Sequence, residues 1–161
     1  MTGSPVAAIL PVKILERGGE MKYYSEEYLK TAQERVNSDP EFQKRVAALN
    51  FVSETLVTDC PGGVDRLINY QWERGRLASV KLEEKPAPSD WRKLPWDESQ
   101  SFMRAAAPYD AFAKVNRGEM TAMEGMMKGI FRMDGDMSQV MPLMPAITAF
   151  TELLHAIPCE Y

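Results

Sequence analysis

Few side chains in this sequence are placed to do covalent or acid–base chemistry. The single histidine, His155, falls late in an amphipathic segment, where an imidazole is commonly structural, and neither a GxSxG nor an HExxH pattern surrounds it. Asp134-Gly135-Asp136 begins like a calcium loop, but the further acidic positions and terminal Glu of that loop are missing, so it reads as a turn followed by a helix cap. Cys60 and Cys159 are the only cysteines and lie far apart, with no CxxC or Cys/His cluster that would indicate zinc or a disulfide framework. Cys60 has no base near it in sequence and reads as a structural thiol. Gly62-Gly63 lacks the spacing and the Lys of a phosphate loop. The residues therefore assign no catalytic group, no metal and no cofactor.

What remains is apolar binding. Eight of the eleven methionines lie in one stretch, Met120, Met123, Met126, Met127, Met133, Met137, Met141 and Met144. Methionine is unbranched and polarizable, so a wall built from it re-packs around ligands of varied shape, although it also serves simply to fill cores. Positions 120, 123 and 127 share a face at helical period, and 137, 141 and 144 repeat i, i+4, i+7. Between the stripes, residues 129–134 have a strand pattern that puts Phe131 and Met133 on one face. Thr121-Ala122-Met123-Glu124 fits a capping box, and Asp136 can cap the next helix.

The run from Gly118 to Met141, GEMTAMEGMMKGIFRMDGDMSQVM, resembles the C-terminal signature of the sterol carrier protein type 2 domain family. Gly118, Glu119 and Met120 hold its start, Met126 and Met127 its large apolar pair before Gly129, Phe131 and Met133 its strand, Gly135, Asp136 and Met137 its second turn, and Val140 and Met141 its closing helix. Phe112 and Val115 sit where the family has apolar residues on a preceding helix; across residues 25–105 only the element order matches. The resemblance implies an α+β fold, in which helices cover one face of a mostly antiparallel five-stranded sheet with an apolar tunnel between the layers. It implies a ligand-binding interior walled by Phe112, Val115, Met120, Met123, Met126, Met127, Phe131, Met133, Met137, Val140, Met141 and Met144. This chain departs from the pattern at Ile130, where many members are polar, at Pro142 and Pro145, and in the long loop 85–98.

Composition agrees with a single domain: 161 residues, 45 % hydrophobic and 26 % charged. A net charge of −4 argues against a phosphate-backbone partner. No run of about 18 apolar residues spans a bilayer. Two distant cysteines suit a reducing, cytoplasmic setting. Glu16-Arg17-Gly18-Gly19-Glu20 before Met21 reads as a translated ribosome-binding sequence, so residues 1–20 are expected to be an extension ahead of a single domain over 21–161.

The elements that must position this interior can be outlined. Ser25 with Glu26 and Glu27 starts a helix burying Tyr28, Leu29, Ala32 and Val36. Ser38-Asp39-Pro40-Glu41 starts another, with Phe42, Val46 and Leu49 as its stripe. Strands follow at 51–58, after Pro61-Gly62-Gly63, and after the Arg74-Gly75 turn; Ile68, Tyr70 and Trp72 alternate with polar residues in one and Ala78, Val80 and Leu82 in the next. A loop from 85 to 98 carries Trp91 and Trp96, which either pin it to the domain or close a site. A fourth strand is expected over 99–106 and a helix over Tyr109–Asn116. Pro142 predicts a helix ending near Met141 and another from Pro145, with the face Ile147, Phe150, Leu154 and Ile157.

Two functions fit these readings. One is non-catalytic binding and carriage of a hydrophobic small molecule, such as a lipid, fatty acyl chain, sterol-like or terpenoid compound. The other is an accessory subunit or enzyme that holds an apolar substrate in the same pocket, with a protein partner docking through the Trp91/Trp96 loop or with self-association. A dry core without ligand is the third and plainest reading.

Overall fold

The computed structural model describes residues 21–161; the expected extension, residues 1–20, lies outside them. Helices α1 (Glu26–Asn37) and α2 (Pro40–Arg45) lead into three long strands, β1 (Asn50–Cys60), β2 (Val64–Glu73) and β3 (Arg76–Pro86). A loop follows that contains a 3-10 turn at Asp90–Lys93. The chain then forms β4 (Met103–Pro108), α3 (Tyr109–Asn116), α4 (Ala122–Met127), β5 (Arg132–Gly135), α5 (Met137–Val140), a 3-10 turn at Met141–Leu143 and α6 (Met144–His155).

The helix starts are set by side-chain acceptors for otherwise orphaned amides. Ser25 Oγ accepts from Tyr28 N at 3.1 Å and Asp39 Oδ1 from Phe42 N at 2.9 Å. The Thr121/Glu124 capping box forms in both directions, and Asp136 Oδ1 accepts from Ser138 N at 3.0 Å. Pro142 does interrupt the last helical region, which passes through a 3-10 turn before α6 begins one residue ahead of Pro145.

The sheet order is β3-β2-β1-β4-β5. All pairs are antiparallel except the central one, in which Ser53–Thr58 runs parallel to Met103–Pro108. The hairpin between β2 and β3 turns on Arg74 and Gly75, both at positive φ (48° and 81°), which matches the right-handed twist of the strands it joins. The start of the edge strand β3 is covered: Asn37 of α1 donates to Leu77 O at 3.0 Å and accepts from Leu77 N at 2.8 Å, so a helix closes that end of the edge to pairing.

Register fixes which residues share a face. Phe51, Ser53, Thr55 and Val57 lie opposite Trp72, Tyr70, Ile68 and Arg66, and this face receives the helices in one core with Tyr28, Leu29, Val36, Phe42 and Leu154. The other face carries Glu54, Leu56, Asp65 and Arg104. Here the 87–101 loop docks. Fully buried Asp65 accepts from Arg92 Nε and Nη2, each at 2.8 Å, and from Ser89 N and Oγ at 2.9 and 2.7 Å. Trp91 is buried, Trp96 Nε1 donates to Ser101 Oγ at 3.0 Å, and Arg104 Nη1 donates to Leu94 O at 2.9 Å. Both tryptophans thus belong to a segment fastened to the sheet face away from the helices.

Four strands differ in their bounds from the sequence reading. The strand expected at 99–106 begins at Met103, because Asp97 Oδ1 captures Ser99 N at 2.9 Å and holds residues 97–101 in a turn. The strand expected at 129–134 begins at Arg132, because Ile130 N and Phe131 N both return to Gly125 O, at 2.8 and 3.1 Å, and wrap the end of α4. The strands 51–58 and 78–83 extend to Cys60 and Pro86. The fold class is α+β, a five-stranded, mostly antiparallel sheet with helices.

Candidate functional site

Between the helix-covered sheet face and the helices lies an apolar cavity of about 160 Å³. Phe51, Trp72, Met103, Ala105 and Met133 contribute to its sheet wall, and Phe42, Phe112, Met126, Met144, Ile147 and Phe150 to its helical wall. The aromatic rings brace one another. Phe150 of α6 meets Tyr70 and Trp72 edge to face, with centroids 5.6 Å apart in each case, and Phe131 meets Phe112 at 4.9 Å; such geometry favours ring edges against ring faces.

Six of the residues singled out by sequence line this space: Phe112, Val115, Met126, Phe131, Met133 and Met144. Met120 packs one layer away, against the cluster of Ala107, Ala111 and Phe131. Met123 and Met137 are half-buried and take no part in the wall. Val140 is fully buried but sits against Gly135 at the end of β5. Met127 is 81 % exposed and Met141 is 41 % exposed, a correction to the expectation that both face inward.

The reason is helical phase. In α4 the inward pair is Ala122 and Met126, at i and i+4, so Met127, one residue further around the helix, points to solvent. In the second stripe Pro142 breaks the continuous helix that the spacing of 137, 141 and 144 assumed, and only Met144, beyond the break, returns to the cavity.

The larger part of the wall comes from the first half of the chain and from α6, and much of it is aromatic. Phe42, Phe51, Tyr70, Trp72 and Phe150 were legible as apolar stripes of their own elements; the periodicity carried no sign that those stripes leave a space between them.

Electrostatically the cavity is bare. Neither Lys, Arg nor His lines it. The single carboxylate among its residues, Glu54, accepts from Ser101 Oγ at 2.7 Å and pairs with Arg104 Nε at 3.5 Å, groups of the opposite sheet face. His155 is exposed, with Nδ1 against Asn116 O. Asp134 pairs with Arg132 at 3.3 Å, and among the described residues no group of three or more His, Cys, Asp or Glu is placed to hold a metal. Burial pushes the Cys60 thiol up to about 11, which suits a packing role. No helix among the described residues is long and apolar enough to cross a membrane.

No family model matches the sequence, and no curated protein matches it. Solved structures do match. The crystal structure of sterol carrier protein 2 superposes with a TM-score of 0.69 at 12 % identity, covering 84 % of this chain and 99 % of the other. The solution structure of a conserved hypothetical protein from Thermus thermophilus, described as possibly a sterol carrier protein, gives 0.70 at 13 % identity, with 88 % and 94 % covered. Sterol carrier protein domain 2 of Helicoverpa armigera gives 0.50 at 12 %, with 80 % and 86 % covered. At such identities the shared property is architecture, and the architecture of this chain is that of sterol carrier protein 2.

Proposed function

We propose that this chain binds and carries a hydrophobic small molecule, such as a lipid, fatty acyl, sterol-like or terpenoid compound, in the cavity between sheet and helices. The observation that supports this most directly is an apolar space walled almost wholly by aromatic and aliphatic side chains. Binding there is driven by removal of apolar surface from water, at roughly 25 cal/mol per Å². The likeness to sterol carrier protein 2 supports the same reading. Apolar cavities of roughly 150 Å³ take a benzene-sized ligand, so a longer one has to displace side chains. Met126, Met133 and Met144 are suited to that, being unbranched and able to change rotamer at small expense. Carriage requires no proton transfer, and neither Lys, Arg nor His lines the space. The free thiols Cys60 and Cys159 support the expectation of a reducing, cytoplasmic setting.

Native mass spectrometry of the purified protein, followed by organic extraction, tests the proposal. The expected result is a bound apolar species, or uptake of an added apolar dye at one equivalent. A protein at its bare mass that takes up no dye refutes it and leaves a dry core.

A further inference from the structure

Most polar groups around the cavity are already engaged. Tyr23 donates to Phe112 O at 3.3 Å and Thr151 to Ile147 O at 2.9 Å. Asn116 accepts from Tyr28 at 3.3 Å and donates to Tyr161 at 2.6 Å. The Tyr24 phenol belongs to the segment ahead of α1, and its ring stacks on that of Tyr23 with centroids 4.2 Å apart. Three hydroxyls on the sheet wall are different. Ser53, Thr55 and Tyr70 all line the space, none has a hydrogen-bond partner among the described residues, and none is sealed away from open space.

Their placement is not scattered. Ser53 and Tyr70 are direct cross-strand partners in β1 and β2, and Thr55 follows Ser53 by two residues on the same face, roughly 7 Å along the strand. The three therefore form a patch on the sheet wall, ringed by Phe51, Trp72 and Phe150. Tyr70 is only 4 % exposed, and a phenol so deeply buried ordinarily finds a partner.

We propose that the ligand carries one uncharged oxygen function, an alcohol or a carbonyl, which finds its hydrogen bonds within the patch of Ser53, Thr55 and Tyr70 hydroxyls while the rest of the molecule fills the apolar space. This rests on the carrier reading above and narrows it. A pure hydrocarbon leaves all three hydroxyls without partners. A carboxylate enters a cavity with no cation on its wall, where a buried charge is strongly disfavoured. An alcohol or carbonyl satisfies the patch without that penalty. Burial raises the Tyr70 pKa well above its ordinary value, so the phenol remains a neutral donor through the physiological range.

The test is displacement of the uncharged hydrocarbon dye diphenylhexatriene at pH 8 by dodecane, 1-dodecanol and dodecanoate. The dye reports the cavity, and the three chains differ only at one end. Dodecanol is expected to bind more tightly than either of the others. Tyr70→Phe keeps the ring, and its affinity for dodecanol relative to dodecane should fall about 3- to 10-fold, the loss of one neutral hydrogen bond. Ser53→Ala with Thr55→Val should lower the alcohol preference in the same sense. An alcohol preference that is absent from the wild type, or that neither variant reduces, overturns the patch and leaves carriage standing, as does tighter binding of dodecanoate than of dodecanol. Failure of the dye and of every chain to bind overturns the carrier reading and this assignment together.

Discussion

Gly125 lies inside α4, where helix propensity alone makes Ala better by about 1 kcal/mol. The structure reverses that sign. Gly125 is buried, and a Cβ placed on it would stand 2.2 Å from Cδ2 and 2.6 Å from Cε2 of Phe131, far inside ordinary contact. Phe131 is itself buried and meets Phe112 edge to face at 4.9 Å, so its ring yields only by giving up that contact and turning into the cavity it lines. Overpacking costs about 1–3 kcal/mol, and the ring pair lost on displacement adds about 0.5–1.5 kcal/mol. Against the propensity gain, Gly125→Ala should destabilise by about 2 kcal/mol in urea melts with an unchanged m-value. The double variant isolates the cause. Phe131→Ala alone should cost about 3 kcal/mol, and adding Gly125→Ala to it should now restore about 1 kcal/mol, because the obstructing ring is gone. A single Gly125→Ala variant more stable than the wild type would refute the reasoning.

Other expectations are as direct. The Asp65 carboxyl is held far below the usual carboxylate range, first by Arg92 and against its own desolvation, with Ser89 and the Asp59 amide assisting. Its stabilising contribution is therefore full above the unfolded carboxylate pKa of about 3.9 and is lost as pH falls below that value toward the folded one; Asp65→Asn should flatten the acid limb of a stability–pH profile, and an unchanged limb would exclude this residue as its source. Arg92→Ala leaves a buried carboxylate without its cation and should cost about 3 kcal/mol in denaturant melts. Met127→Trp, at an exposed position, should change stability by less than about 0.5 kcal/mol and leave dye uptake intact; loss of uptake would show that the surface of α4 takes part in binding. The chain from Met21 onward should keep its Tm within a few degrees, since Met21 is buried and accepts from Glu160 N at 2.7 Å; a large fall would show that residues 1–20 stabilise the fold.

What the sequence made legible follows from the range of its signals. Caps act over three or four residues, and Ser25, Asp39, Thr121 and Asp136 all mark helix starts that the structure has. Alternation in β2 named Ile68, Tyr70 and Trp72 as one face, and they are one face. Phase within a six-residue helix was not legible, because a short apolar run such as Met123-Glu124-Gly125-Met126-Met127 fits two stripes equally well and only packing against Phe131 selects one. Nor was the cavity's aromatic wall, which assembles Phe42, Trp72 and Phe150 from elements scattered along the chain. The hydroxyl patch was hidden for a different reason: Ser53 and Thr55 look like ordinary polar alternation until the helical layer covers that side of β1.

The pairing of Lys22 with Glu160 bears on how anything gets in or out. Tyr23 N donates to Glu160 O at 2.8 Å and Glu160 N to Met21 O at 2.7 Å, just beyond the last turn of α6. The helix that supplies Met144, Ile147, Phe150 and Leu154 to the cavity is thereby moored at both ends, by the Pro142 turn before it and by this two-bond clasp after it. On the carrier reading, exchange of an occupant is then expected to proceed by rotamer changes of side chains or by breathing of the short α4–β5 corner and not by swinging of α6, and its rate should respond to substitutions in that corner before it responds to anything done to the clasp.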